Sequence, residues 1–168
     1  MSGLDADPFS GGRITQCPPP PPDQSEPSPA NLAYSLTLPS ATATPAVARA
    51  TAMLVPDAHR LGELAAPVLT LVDELASCAC WFTSAGESIY LSLRSRDDAL
   101  RLIVYDGHPR HSHPRLAAAC DERRRSHLRG VPRVVKACQG EWGFEGASEP
   151  ARGTRSWALV PLAAARLP

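Results

Sequence analysis

The sequence predicts an α+β fold, a two-layer α/β sandwich with a mixed, mostly antiparallel sheet and helices on one face. Three stretches carry that expectation. Leu100, Leu102 and Val104 alternate with Arg101, Ile103 and Tyr105, the period of a strand with one buried face. Ile89, Leu91 and Leu93 repeat the alternation just upstream. Before them, Leu64, Val68, Leu71, Val72, Leu75 and Ala79 recur at three- and four-residue spacing, the stripe of an amphipathic helix.

A chain of 168 residues has the length of one domain. Acidic and basic residues balance at 17 each, so no net field draws the protein to nucleic acid or to an anionic membrane. The five cysteines (Cys17, Cys78, Cys80, Cys120, Cys138) form no C-x-x-C and no even framework, which fits reduced thiols. No signal-like segment opens the sequence and no apolar run reaches membrane-spanning length, so a soluble cytoplasmic protein is expected.

Residues 1–31 are rich in Pro, Ser, Asp and Gly and include the run Pro18 to Pro22, which adopts polyproline II. A segment with so few large apolar side chains predicts a disordered tail, leaving residues 32–168 as the folded domain. Ala33 to Leu38 alternates as a short strand that Pro39 ends. Thr44 is placed to cap a helix and Pro45 to fill its first position. Val47, Ala50, Met53 and Leu54 make its apolar stripe, and Pro56-Asp57 ends or interrupts it. The long helix follows from Leu64 to Trp81, with Glu74, Cys78 and Phe82 on one neighbouring stripe. Strands over Ser88–Arg94 and from Leu100 are joined by a charged hairpin over Ser95–Ala99.

The second of these strands stops at Asp106, with Gly107 and Pro109 behind it. A carboxylate at the tip of a buried strand, next to a glycine, presents one acceptor to a ligand. A plain Asp-Gly turn is the alternative. Gly107 to Gly130 reads as a long loop holding at most a short helix over Leu116–Cys120; such a loop in a small domain is usually a lid or a binding loop. A helix over Gly130–Cys138 and strands over Glu141–Glu145 and Ser156–Leu162 close the domain, with Trp142 and Trp157 as sheet-packing residues.

Other constellations say less. His108, His111 and His113, near Cys120 and His127, suggest zinc, but their spacing matches no standard pattern and a solvated loop is expected. Arg123 to Arg125 reads as a solvated face, without the aromatics of a nucleic-acid surface. No G-x-x-x-x-G-K-[ST] is present, which excludes a P-loop.

The order of elements and several short motifs resemble the histidine-kinase-like (Bergerat-fold) ATPases, and within them the actinobacterial ATP-binding regulators similar to anti-sigma-factor serine kinases. Glu74-Leu75-Ala76-Ser77-Cys78-Ala79 stands where that family has E-L-V-T-N-A. Val104-Tyr105-Asp106-Gly107 matches its strand ending in Asp and Gly, and Leu128-Arg129-Gly130-Val131 its lid-closing G-R-G-L. Glu141-Trp142-Gly143, Gly153 and Trp157 match its final motifs. The resemblance spans about Leu36 to Leu162.

The resemblance implies an ATP-binding protein serine/threonine kinase or a sequestering regulator of transcription, acting on a sigma factor or an anti-sigma antagonist, with a homodimer possible. It implies that Asp106 accepts the adenine amino group and that Gly107 admits the base. It further implies that Arg129 or the Arg123–Arg125 run acts on the phosphates, that Gly130 and Thr154 serve the nucleotide, and that Glu74 is the general base. Cys78 holds the position of the magnesium ligand, normally Asn. Magnesium needs hard oxygen ligands, so this residue removes the principal cation clamp. Phe82 and Leu128 also depart from the family pattern. A catalytically inactive pseudo-ATPase, acting only as a protein-binding module, is the alternative that follows.

Overall fold

A computed structural model of the chain describes residues 25–148 and 152–163. Five strands pair in the order β1-β2-β3-β5-β4, where β1 is Ala33–Pro39, β2 Ser88–Arg96, β3 Ala99–Asp106, β4 Glu141–Gly146 and β5 Thr154–Pro161. Every pairing is antiparallel, so the sheet carries no parallel component. The helices are α1 (Thr44–Ala58), α2 (Ala65–Trp81), α3 (Pro114–His127) and α4 (Val131–Ala137). The α+β two-layer sandwich expected from the sequence is the architecture found.

Strand parity makes the core. Ile89, Leu91 and Leu93 of β2, Leu100, Leu102 and Val104 of β3, and Ala158 and Val160 of β5 share the covered face. Opposite them α2 buries Val68, Leu71, Val72, Leu75 and Ala79, and α4 adds Val131 and Val135. Pro67 lies in the first turn of α2, where its missing N–H leaves no helical bond unmade. The β2–β3 hairpin turns through Asp97 and Asp98, both at positive φ, the backbone of a tight type I′ connection. By length and composition Gly62–Trp81 is apolar enough to cross a membrane, contrary to the expectation that no run qualifies; its stripe is instead the centre of this core.

Four expectations need correcting. Helix α1 buries Thr44, Ala48, Ala52 and Val55, while Val47, Met53 and Leu54 are 49, 51 and 73% exposed. Small side chains on the inner face let α1 lie against α2, so the larger apolar residues are left outside. Thr44 is the first helical residue rather than the cap, and its hydroxyl donates to the Pro39 carbonyl. Pro56 is accommodated within the last turn of α1 instead of ending it. The expected loop over Gly107–Gly130 contains a helix running from Pro114 to His127.

The expected tail over residues 1–31 lies, for residues 1–24, outside the described residues. Residues 25–31 are tied to the body: His59 Nδ1 sits 2.6 Å from the Ser28 carbonyl and Arg60 pairs with Glu26 at 3.3 Å.

Truncation should separate the true core from the face expected on α1. Leu71→Ala, which empties a fully buried site, is expected to cost about 2–5 kcal/mol. Leu54→Ala, at an exposed site, should cost about 0.5 kcal/mol or less in the same urea titration.

Candidate functional site

The inward parity of β3 continues one residue past the apolar core. Leu100, Leu102 and Val104 are followed on the same face by Asp106, which is 3% exposed. On the paired strand β5, Thr154 lies opposite Asp106 and Ser156 opposite Val104. The covered face of the sheet is therefore apolar at one end and polar at the other. Gly153 closes that end at φ +112°, and a Cβ there would meet the Asp106 carbonyl oxygen, so only glycine fits the turn into β5.

A buried carboxylate needs a partner, and α3 supplies it. Arg124 Nη1 donates to Asp106 Oδ2 at 2.6 Å, with both side chains 1% exposed. The same nitrogen is 3.4 Å from Ser156 Oγ and 3.9 Å from Cys78 Sγ. The guanidinium carbon stands 4.1 Å from the centre of the Phe82 ring, a cation–π contact in a dry setting. Asp106 Oδ1 accepts the backbone N–H of His108 at 2.9 Å. Arg124 Nη2 is buried and has no partner among the described residues.

These surroundings set the protonation states. Burial pushes the Asp106 carboxyl above its ordinary value, opposed by the charge of Arg124 and by the two hydrogen bonds it accepts. Burial pushes the Cys78 thiol up to about 12, with Asp106 adding to the effect and Arg124 opposing it. Cys78 is thus a neutral thiol beside a fixed cation. Neither property suits magnesium, which takes oxygen ligands and is repelled by a neighbouring positive charge. The donor set at this position does not fit the ion that the family resemblance implies.

Helix α2, which carries Glu74, packs on β3 and brings Cys78 to the arginine that pairs with Asp106. The local partners of Glu74 and Asp106 differ. Glu74 Oε2 accepts the backbone N–H of Gly130 at 3.0 Å, at the start of α4, and a Cβ on Gly130 would collide with the Glu74 carboxylate. Thr154 is buried and its hydroxyl donates to the His108 carbonyl at 2.9 Å. The Gly107 N–H donates to Thr83 Oγ1 at 3.0 Å. Arg129 is exposed, and Leu128 is wholly buried in the core. Of the residues singled out in the sequence, Cys78 and Thr154 stand with Asp106, while Glu74 and Gly130 pair with each other.

Arg124 is the residue that sequence reasoning missed. It lies within the basic run Arg123–Arg125 expected to be solvated, yet it is the one buried side chain of α3. One signal was present: a carboxylate expected at a buried strand tip requires a cation, and one was available in the following segment.

No protein-family model matches this chain. No curated protein matches it either.

Removal of Arg124 should expose the cost of Asp106. With the guanidinium gone, burial is opposed only by the contacts with His108, and the carboxyl rises further. An acid raised in the folded state holds its proton more tightly there than when unfolded. Its ionisation therefore costs stability above the folded value, and the cost fades as pH falls through that value. Arg124→Met is expected to lose about 3–5 kcal/mol near neutrality. Part of the loss should return as the pH is lowered towards the ordinary carboxylate range, read from urea midpoints across a pH series. A loss independent of pH would show that Asp106 is not what Arg124 compensates.

Proposed function

We propose that this protein is a regulatory binding module built on a histidine-kinase-like ATPase fold, with a nucleotide site taken over by its own arginine. It acts by holding a protein partner rather than by transferring phosphoryl groups. By the resemblance, that partner is a sigma factor or its antagonist. The observation that carries the reading is the Asp106–Arg124 pair. The acceptor that the family resemblance assigns to adenine is already engaged, at 2.6 Å, by a charged donor.

Magnitudes favour the resident arginine. A neutral hydrogen bond contributes about 0.5–1.5 kcal/mol net and one to a charged group about 1.5–3 kcal/mol. The amino group of a purine therefore cannot displace the guanidinium on hydrogen bonding alone. The neutral thiol of Cys78 offers no clamp for a metal-bound triphosphate. Val47, Met53 and Leu54 on α1 leave apolar side chains exposed, where a protein partner could cover them. The unpaired thiols of Cys78, Cys80, Cys120 and Cys138 suit a reducing cytoplasm.

One observation supports a nucleotide-gated reading as the second choice. Arg124 is the only residue α3 buries, so an outward swing of that helix would free Asp106 and Thr154 together. Thermal melting with and without millimolar Mg-ATP separates the two. The binding-module reading expects no rise in the melting temperature of the wild type. A saturable rise of several degrees, by mass action on the native state, would overturn it in favour of the gated reading.

A further inference from the structure

We propose that His108, His111 and Cys120 form a binding site for a divalent cation that prefers imidazole and thiolate ligands, best met by zinc. One ring nitrogen of each histidine and the Cys120 sulfur lie within 4.8 Å of one another. The two histidine Nε2 atoms stand 3.2 Å apart. Adjacent nitrogen ligands on a tetrahedral zinc, at bonds of about 2.0–2.1 Å, are separated by about 3.3 Å. The histidine pair thus already spans one edge of a zinc tetrahedron. The sulfur needs to close by at most about 1 Å to complete the face, since a nitrogen–sulfur edge is about 3.6 Å.

The flanking structure holds these ligands in place. The His108 N–H is bound by the Asp106 carboxylate and its carbonyl by the Thr154 hydroxyl, both at 2.9 Å. Arg110, between the two histidines, grips Asp121 with both terminal nitrogens at 3.0 Å, and Asp121 adjoins Cys120. The loop after β3 is thereby fastened to α3 at the point where the sulfur meets the rings. All three ligands line one cavity of about 380 Å³, walled by Trp81, Phe82, Leu116 and Arg123, so the fourth coordination position faces space open to water. Three protein ligands with an open fourth position is an arrangement zinc adopts readily.

Imidazole nitrogen and thiolate sulfur select zinc or its neighbours in the transition series over magnesium or calcium. On binding, the Cys120 thiol releases its proton to solvent as the metal–sulfur bond forms. The ligands come from a loop and a separate helix, which is why their spacing matches no linear zinc motif. His113 precedes α3 and His127 lies against Trp81, with ring centres 4.8 Å apart; neither belongs to the cluster. The site uses neither the Asp106 carboxylate nor Glu74 as a ligand, so it stands whatever the outcome of the nucleotide test.

The test is titration of the full-length, reduced protein with Zn²⁺ against a chromophoric chelator, and with Co²⁺ as the spectroscopic probe. One equivalent should bind, and Co²⁺ should give the intense visible bands of a tetrahedral site together with a thiolate charge-transfer band. Cys120→Ser should abolish the charge-transfer band, and Cys120→Ser and His111→Ala should each weaken Zn²⁺ binding by at least about tenfold. His113→Ala should leave binding unchanged. The three ligands lie outside the core, so thermal melting of the metal-free variants should match the wild type. Absence of saturable micromolar binding would overturn the proposal. So would binding that Cys120→Ser and His111→Ala leave intact, or that His113→Ala abolishes.

Discussion

One buried ion pair holds together the part of this molecule that is not ordinary core. Helix α3 has no apolar stripe: Arg124 is its one buried side chain, and it ends on Asp106. Each charge alone would carry a desolvation cost of several kcal/mol, and each is tolerable because of the other. The pair therefore anchors a polar helix to an apolar sandwich. Helix α3 in turn sets the position of the loop between β3 and itself, the cavity beneath Trp81 and the thiol of Cys120.

The same pair explains why the polar end of the covered face is closed. Strand β3 delivers a carboxylate to the covered face, Gly153 allows β5 to pass close to it, and Thr154 sits opposite. The guanidinium of Arg124 fills the space beside them, over the Phe82 ring and reaching towards Cys78. Phe82 and Cys78 both contact the arginine. A polar side chain at either position would alter the dry aromatic seat on which the charge rests.

Much of the fold was legible because it follows two periods. The alternation of β2 and β3 and the stripe of α2 are carried by large aliphatic residues, and all three elements appear where they were expected. Helix α1 was found with the wrong face inward, because its core side is built from Ala48 and Ala52 while Leu54 and Met53 look outward. Hydrophobicity ranks the larger residues as core, but close helix–helix contact selects the small ones. Helix α3 was shortened for a related reason: a helix that buries an arginine leaves no apolar periodicity to read. At the site, Asp106 was visible from strand parity and its turn, whereas its partner was hidden in a run of like charges. The histidines and Cys120 were visible in the sequence, but only the fold, which joins a loop to a helix, shows which of them meet.

The most direct measure of the central claim is the coupling between the two buried charges. A double-mutant cycle with Asp106→Asn, Arg124→Met and the combined variant, followed by urea unfolding near neutral pH, isolates it. The double variant is expected to be more stable than the sum of the single losses implies, with a coupling of about 2–3 kcal/mol. Single losses that simply add would mean that the two residues do not depend on one another, and that α3 is held by something else.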